Sequence, residues 1–466
     1  FLCIYDYTLY TFFVNLHVIV FISGISKHKQ SSSIAMSDIV IKPATTKREM
    51  RQFVRFNWEL YKDCPYAVPD FLEDTLDTFN PRKNPALEYT DPKTGRKRGF
   101  CEAAYFMALR DGKMVGRVAA IINHRANEHW KERHVRFGWI DFIDDIQVAE
   151  ALLKTVEQWG RERGMDTIVG PLGFTDMDLE GMLTDGYDQL STMNSIYNYP
   201  YYPEHIRQLG YEKEVGWVER KVLVPKGEHT ANAQKYFKIA ELVKRRYGFR
   251  LRKFKSKREI REGGYIPKVL NVVNKAYANL YGYCELDPEQ METYADQYLA
   301  YLDKRYLSVV ETVDGEVIGM GICITSLSRA IQKAKARLFP FGWWHMAKAL
   351  WFNRHPQVLD MLLVGVLPEY QEKGANALIF ADIIPQAIKN ILPTLGNELI
   401  SLIKETSVVS FIGVVDLYKA FRSIGSSNYE YMIPFLIMAV IYVVVILIIT
   451  GLLRIMERGL RTSDQR

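Results

Sequence analysis

The stretch from Asp360 to Pro393, DMLLVGVLPEYQEKGANALIFADIIPQAIKNILP, decides how the rest of the chain is read. Met361 to Val366 is an apolar run with the length of a buried strand. Pro368 ends it, since proline brings no N–H to a sheet ladder, and helical spacing reopens near Gln371 or Gly374. A strand passing through a glycine into a helix start has the shape of an anion cradle. Free backbone N–H groups and the positive end of the helix dipole favour a phosphate there, and Gly374 lets a ligand approach the backbone. From about Pro385 the chain turns steadily more apolar and ends as a membrane-like segment, so two unlike stretches meet inside one expected helix.

Composition sets broad bounds. A chain of 466 residues, 48% hydrophobic and 24% charged, holds roughly two to three domains. The formal charge of +6 is mild, is spread over scattered Lys and Arg and a basic C-terminal tail, and does not call for nucleic acid. Cys3, Cys64, Cys101, Cys284 and Cys323 are far apart, with no C-x-x-C pair and no His at ligand spacing, which reads as a reducing compartment and no structural metal.

Residues 1–35 are aromatic and apolar up to Lys27, His28 and Lys29, an order opposite to that of a secretion signal, and Met36 opens an ordinary soluble sequence. The expectation is that 1–35 is upstream translation or an anchor, outside the fold. Residues 36–225 then read as a mixed α and β unit. Lys47 to Tyr61 has the pattern of an amphipathic helix, and Ala104 to Ile122 that of a strand pair about an Asp111-Gly112 turn. Val135 to Ile143 is a strand. Asp144 and Asp145 are caps for a helix whose apolar residues fall at Ile146, Ala149, Leu152, Leu153, Val156 and Trp159. Thr167 to Leu172 is a buried strand, Pro203 to Tyr211 a short helix, and Glu212 to Val222 a closing hairpin.

After a basic linker the same order recurs over residues 226–382. Tyr265 to Tyr281 is a helix, Leu307 to Thr325 a hairpin about Asp314-Gly315, and Met361 to Val366 a strand leading to the Gln371 helix. The matched Asp-Gly turns mark a tandem repeat of one α/β unit. The second copy carries an insertion, Ser326 to Pro356, rich in Trp343, Trp344, Trp351, Lys348 and Arg354. Aromatic side chains packed onto the domain are its expected use, with a membrane-surface or lid helix as the alternative.

The last segment, residues 383–466, follows other physics. Met432 to Leu453 is uncharged and long enough to cross a bilayer, giving an expected transmembrane helix at about 431–453 with Arg454, Arg458 and Arg461 on its cytoplasmic end. Leu395 to Val415 is a weaker span because Lys404 and Glu405 lie in its middle.

Helix, Asp-Gly hairpin, long strand and then Val366, Pro368, Gln371, Gly374 and Asn376 in V-x-P-x-x-Q-x-x-G-x-N spacing resemble the GNAT family of acyl-CoA N-acyltransferases. Asn376 stands where that family has a small residue. The resemblance covers about residues 36–380 and implies two GNAT-like mixed-sheet units, the second truncated, an α/β class followed by all-α transmembrane helices. It implies acetyl-CoA or another acyl-CoA held at Gly365, Val366, Gln371, Glu372, Lys373, Gly374, Ala375 and Asn376, and an amine as acceptor. By the same resemblance Tyr201 or Tyr202 is the acid for the departing thiolate. The base is open among Asp360, Glu369 and an ordered water. In the first copy IDFIDDIQVAE puts two carboxylates where a phosphate would sit, so that copy is expected to shape the substrate side or to be structural.

The tail, IIPQAIKNILPTLGNELISLIKETSVVSFIGVVDLYKAF and onward, resembles the C-terminal portion of polar amino-acid ABC transporter permeases at Pro385, Gln386, Pro393, Asn397, Lys404, Thr406, Ser407 and Gly413. That resemblance implies the inner (cytoplasmic) membrane, lipid contact through the last helix, permease and ATPase subunits as partners, and the large soluble region on the cytoplasmic side. Each half lacks part of what its family needs, which points to a junction between Phe380 and Gln386. The chain is expected to be a chimera of the two. The alternatives are a chain acting only as a permease subunit and a non-functional fusion.

Overall fold

In the computed structural model of the chain the described residues are 15–25, 39–221, 231–335, 337–352 and 358–383, with parts of 420–448. The chain divides into two compact units, one made of residues 1–223, 237–352 and 360–379, the other of 224–236, 353–359 and 380–466. The first unit holds residues from both sides of position 225.

The first copy is built on β1 (Asn15–Gly24), β2 (Ile39–Pro43), α1 (Lys47–Tyr61), β3 (Cys101–Arg110), β4 (Lys113–Asn123), β5 (His134–Phe142), α2 (Ile146–Arg161), β6 (Thr167–Gly170), β7 (Met182–Asp185), α3 (Tyr201–Gln208) and β8 (Glu212–Arg220). They form an eight-stranded sheet in the order β8, β1, β6, β5, β4, β3, β2, with β7 paired to β1. The hairpin of β3 and β4 turns at Asp111 and Gly112, both left-handed with φ of 48° and 74°, which is the backbone a two-residue hairpin with right-handed strand twist requires. Thr46 starts α1 through a capping box, accepting from the Glu49 N–H at 3.2 Å while the Glu49 carboxylate accepts from the Thr46 N–H at 2.9 Å. Helix α2 starts at Asp145, whose carboxylate accepts from the Gln147 N–H, and buries Leu152, Leu153, Val156 and Trp159 against the sheet.

Two expectations are corrected. Residues 1–35 do not lie wholly outside the fold: β1 pairs antiparallel with β8, with β6 and with β7, and Val20 and Phe21 are fully buried. The run NLHVIVFISG is rich in β-branched residues and fills the slot between β6 and β8, whose facing N–H and C=O groups would otherwise be left unpaired. Of the segment Glu212 to Val222, expected as a hairpin, Glu212–Arg220 forms the single strand β8, because β1 supplies its partner.

The second copy contributes β9 (Arg250–Arg252), α4 (Tyr265–Tyr277), β10 (Leu307–Glu311), β11 (Val317–Thr325) and β12 (Leu359–Val366), in a four-stranded sheet of order β9, β10, β11, β12. Among the described residues β12 is an edge strand, with no fifth strand beyond it. Its outer backbone is partly closed by side chains. The Tyr277 hydroxyl donates to the Val364 carbonyl at 3.0 Å and accepts from the Val364 N–H at 3.3 Å, and the Gln371 amide donates to the Val366 carbonyl at 3.1 Å. After the short helix Pro368–Gln371 the chain turns at Gly374, φ 76°, and residues 375–383 are helical.

In the second unit, residues 432–441 are helical and expose Met432, Ile433, Leu436, Ile437 and Val440. Among the described residues no helix is long and apolar enough to cross a membrane. The spans expected at 395–415 and at about 431–453 lie wholly or partly outside the described residues.

Candidate functional site

Strands β5 and β6 run parallel for three pairs, from His134 with Thr167 to Arg136 with Val169, and then part. Strand β6 ends at Gly170 while β5 continues to Phe142, so a gap opens beyond the carboxyl end of the shorter strand, where parallel sheets leave room for ligands. A bulge in β5 widens it: Arg117 of β4 faces Asp141 but Ala119 faces Gly138, and the extra residues include Trp139, held at φ 45°. The resulting cleft is lined by Asn57 and Tyr61 of α1, by Asp70, by Arg117, Trp139 and Asp141 of the sheet, and by Tyr197 and Tyr202, among others.

The floor of this cleft is a closed polar network. Arg117, 2% exposed, directs Nε and a terminal nitrogen to Asp141 Oδ2, both at 2.7 Å, and donates with its other terminal nitrogen to the Phe53 carbonyl at 3.1 Å. Asn57 donates to the same Oδ2 at 3.1 Å. Tyr202 donates to Asp141 Oδ1 at 3.2 Å, and its oxygen accepts from the Tyr61 hydroxyl at 2.8 Å and from the Phe142 N–H at 3.2 Å. Burial, reinforced by the Asp141 charge, holds the Tyr61 and Tyr202 hydroxyls well above the usual phenol range. Both therefore stay protonated.

Asp70 behaves differently. It is half-buried at the cleft wall, and no hydrogen bond ties its carboxyl down among the described residues. It lies two residues before the helix Leu72–Thr78, which has no side-chain cap, so it is not spent on a helix end. Burial raises its pKa above the ordinary carboxylate value, with Arg117 opposing and Asp141 and Asp74 adding to the rise. A carboxyl that opens onto a cleft with a raised pKa is suited to taking a proton from a bound nucleophile.

The residues singled out from sequence fall in three places. Tyr202 lines the cleft, but its proton is committed to Asp141; Tyr201 lies beside it, half-buried, and donates to the Phe142 carbonyl at 2.7 Å. The carboxylates of the first copy's helix start are engaged locally, Asp145 with Arg110 at 2.6 Å and Asp144 with His205 at 2.7 Å. In the second copy Gly365, Val366 and Ala375 are buried, whereas Gln371, Glu372 and Asn376 are exposed. Gly374 has the left-handed backbone, and Lys373 holds its ammonium over the Tyr370 ring at 4.4 Å. The Lys373 and Gly374 N–H groups donate inward, to the Tyr370 and Gln371 carbonyls. A phosphate cradle there thus has positive charge and a suitable turn, but two of its N–H donors are spent within the loop. Asp360 is buried near Ser326, its pKa pushed up to about 6 by burial, with one carboxyl oxygen unpartnered; Glu369 is exposed. Asp360 and the Gln371 turn lie at opposite ends of β12, because the Leu367 N–H bonds back to Ile318 at the start of β11. The two are on the order of 20 Å apart at about 3.3 Å per strand residue.

A half-buried acidic group joins the two copies. Asp176, Asp178 and Glu180 surround Arg136, which donates to the carbonyls of Gly173 and of Gly282 in the second copy, and the Cys284 N–H donates to Asp176. Burial raises all three acids, Asp178 to about 6. Sequence reasoning passed over Asp70 and Asn57. The spacing of Asn57 and Tyr61 on one face of α1, with apolar neighbours at Phe53 and Val54, was the available signal.

Comparison with known proteins finds two unlike kinships. Residues 374–462 match the family of binding-protein-dependent transport system inner membrane components. A putative glutamine transport system permease protein of Rickettsia bellii is 44% identical over 129 residues, which is 25% of this chain and 59% of that protein. The chain therefore spans less than two thirds of that permease's length. The bacterial ceramide synthase of Caulobacter vibrioides is 26% identical over 353 residues, 74% of this chain and 84% of that protein. Among solved structures, a tandem GNAT protein from the clavulanic acid biosynthesis pathway is 10% identical, covering 76% of this chain and 86% of that one, with a TM-score of 0.37. The chain is thus similar to two unlike proteins in turn: over most of its length to the Caulobacter ceramide synthase, and over residues 374–462 to binding-protein-dependent transport system inner membrane components.

Proposed function

We propose that the α/β region is an acyl-CoA-dependent N-acyltransferase and that transfer takes place in the first copy's cleft, with Asp70 as the base. The carrying observation is the unbonded Asp70 carboxyl opening onto the gap where β5 and β6 part. The name of the Caulobacter relative supports an amine acceptor, since a ceramide is an amide of a long-chain amino alcohol. In the reaction the amine nitrogen attacks the thioester carbonyl, Asp70 takes the proton the nitrogen sheds, the C–S bond breaks, and coenzyme A leaves as thiolate beside the new amide. The Arg117–Asp141–Tyr202–Tyr61 network holds the cleft wall in place. The full chain in detergent, given a long-chain acyl-CoA and a long-chain amino alcohol, should release CoA thiol and form amide, and Asp70→Asn should cut turnover by about 10²–10⁴. Turnover unchanged in that variant would remove the assignment.

A second reading places the CoA moiety at Gly365, Val366 and the turn from Gln371 through Glu372, Lys373, Gly374 and Ala375 to Asn376. The left-handed Gly374 leading into the helix at 375–383 favours it. Lys373→Glu separates the two readings: it should abolish the rise in melting temperature given by acetyl-CoA if CoA sits at this turn, and leave it intact if CoA sits in the first copy.

For the remainder we propose that residues 383–466 lie in the inner membrane, with the helix at about 431–453 crossing it and the α/β region on the cytoplasmic side, and that this segment can pair with permease and ATPase subunits. The matched family supports this. Co-purification with neither subunit would count against the pairing. The tryptic peptide Gly374–Lys389 spans the junction, and its detection in cells would establish one continuous polypeptide.

A further inference from the structure

The insertion after β11 is expected to pack its aromatic residues onto the domain, but on its inner face it is non-aromatic side chains that pack there. Leu327, Ala330, Ile331 and Met346 are buried against Val68, Phe71 and Met193 of the first copy, and Gln332 donates to the Pro65 and Ala67 carbonyls at 3.0 and 2.8 Å. The outer face is the reverse. Phe339 and Phe341 are 79% and 77% exposed, and Trp343 and Trp344 are 48% and 50% exposed. Four large aromatic side chains thus project from six consecutive positions.

The loop that carries them is tightly made. The helix Ser328–Ala334 ends at Lys335 in the left-handed region, the Trp343 N–H donates to the Leu338 carbonyl at 2.7 Å, and a Cβ on Gly342 would run into the Arg337 carbonyl. Around the aromatic tip Arg329, Lys333, Lys335, Arg337 and Lys348 are all exposed, and from Ser326 to Leu359 the sequence has no Asp or Glu. Exposed Phe and Trp among the exposed cations of a segment that carries no acidic residue of its own complement one surface above others: the interface of an anionic bilayer, where rings settle at headgroup depth and Lys and Arg meet phosphate.

We propose that the Phe339–Trp344 tip of the second copy inserts shallowly into the headgroup region of an anionic membrane, so that the α/β region has its own lipid contact. This goes beyond the acyl-transfer reading and does not depend on it. It would also bring lipid-soluble substrates to the region without their crossing water.

The chain offers a direct test, because its eight tryptophans all precede residue 374, so tryptophan emission reports on the α/β region and not on the permease segment. The full chain is placed in nanodiscs of phosphatidylcholine with phosphatidylglycerol, with and without brominated acyl chains. Brominated lipid should quench the wild type, and most of that quenching should vanish in Trp343→Tyr/Trp344→Tyr. A second variant, Phe339→Ser/Phe341→Ser, should keep the tryptophans and lose at least half of their quenching, and it alters exposed residues only. Quenching should drop in discs of phosphatidylcholine alone and in Lys333→Glu/Lys335→Glu/Lys348→Glu. No quenching of the wild type, or quenching that the double tryptophan variant leaves unchanged, overturns the proposal. The former is also the result if the tip instead binds a second copy of the chain. Equal quenching in neutral and anionic discs overturns the part assigned to the cations.

Discussion

Arg117 and Asp141 stand directly opposite each other on neighbouring strands, and two guanidinium nitrogens converge on one carboxylate oxygen at 2.7 Å. Both residues are almost wholly buried. A pair in that position is held by what surrounds it: Asn57 on the same oxygen, Tyr202 on the other, and the Phe53 carbonyl on the remaining guanidinium nitrogen. The bulge at Trp139 sets the register that brings them together, so the strain at Trp139 and the buried pair belong to one local arrangement.

Breaking that pair should cost far more than a surface ion pair. Arg117→Ala leaves Asp141 charged and buried without its main partner, and the expected loss is about 3–5 kcal/mol of stability, read from denaturant melts of the full chain in detergent. A loss under about 1 kcal/mol would mean that the pair is hydrated and the cleft floor open.

Tyr202→Phe distinguishes two roles for that side chain. Removing the hydroxyl strands the buried Phe142 N–H and the Tyr61 hydroxyl, which should cost about 1–3 kcal/mol. If Tyr202 only holds the wall, turnover measured below the lowered melting temperature should stay within about tenfold of the wild type, short of the 10²–10⁴ typical of a lost acid or base. A larger drop at unchanged stability would make it the acid for the thiolate instead.

The pH dependence of the reaction should carry the mark of Asp70. As a base it works only when ionised, and burial raises its pKa, so kcat/KM should climb with pH through a limb lying above the ordinary aspartate value of about 3.9. The same shift acts on folding in the opposite sense. A carboxyl with a raised folded-state pKa contributes stability in full below its unfolded pKa and loses it as pH rises through the folded one. Asp70→Asn should therefore remove the acid limb and, relative to wild type, raise the melting temperature at pH 7. An unchanged limb would assign the ionisation to another group.

Asp178 should show the folding effect without the catalytic one. Its pKa rises from 3.8 to about 6 because burial outweighs the N–H groups of Phe174 and Thr175 that its carboxylate accepts. The wild type should lose stability between about pH 4 and pH 7, and Asp178→Asn, which can still accept those two bonds, should flatten that slope. Parallel slopes in melting temperature against pH would transfer the effect to Asp176 or Glu180.

Much of this architecture could be read from residues alone, and the reasons differ by element. Asp111-Gly112 announces its hairpin because few dipeptides tolerate two left-handed residues, and the apolar spacing of Lys47 to Tyr61 announces α1 because helical periodicity is local. The placement of β1 could not be read that way: its partners β6 and β8 lie more than 140 residues away, and nothing near Asn15 shows that a slot exists. The cleft was hidden for the same reason. Asn57, Asp70, Arg117 and Asp141 come from four separate segments and meet only because a bulge shifts the register of β5. The exposed tip at Phe339–Trp344 misled in another way, since aromatic richness points to a core far more often than to a surface.

The closed edge of β12 yields the last expectation. An edge strand normally leaves its outer N–H and C=O groups to water or to another chain, yet at Val364 both are taken by the Tyr277 hydroxyl from α4. Tyr277→Phe keeps the ring against Tyr283 and Gly365 but releases the two backbone groups. The expected cost is about 1–2 kcal/mol, concentrated in one place: hydrogen exchange should speed up across Leu359–Val366 while β10 keeps its protection. If acyl-CoA lies along this edge, as the second reading of the function has it, freeing Val364 should also tighten acetyl-CoA binding, because a blocked pairing site has been opened. If exchange in β12 is unchanged, the hydroxyl does not hold the edge and water already does so; if exchange rises with no gain in CoA binding, the edge is a scar of the junction and the thioester belongs in the first copy.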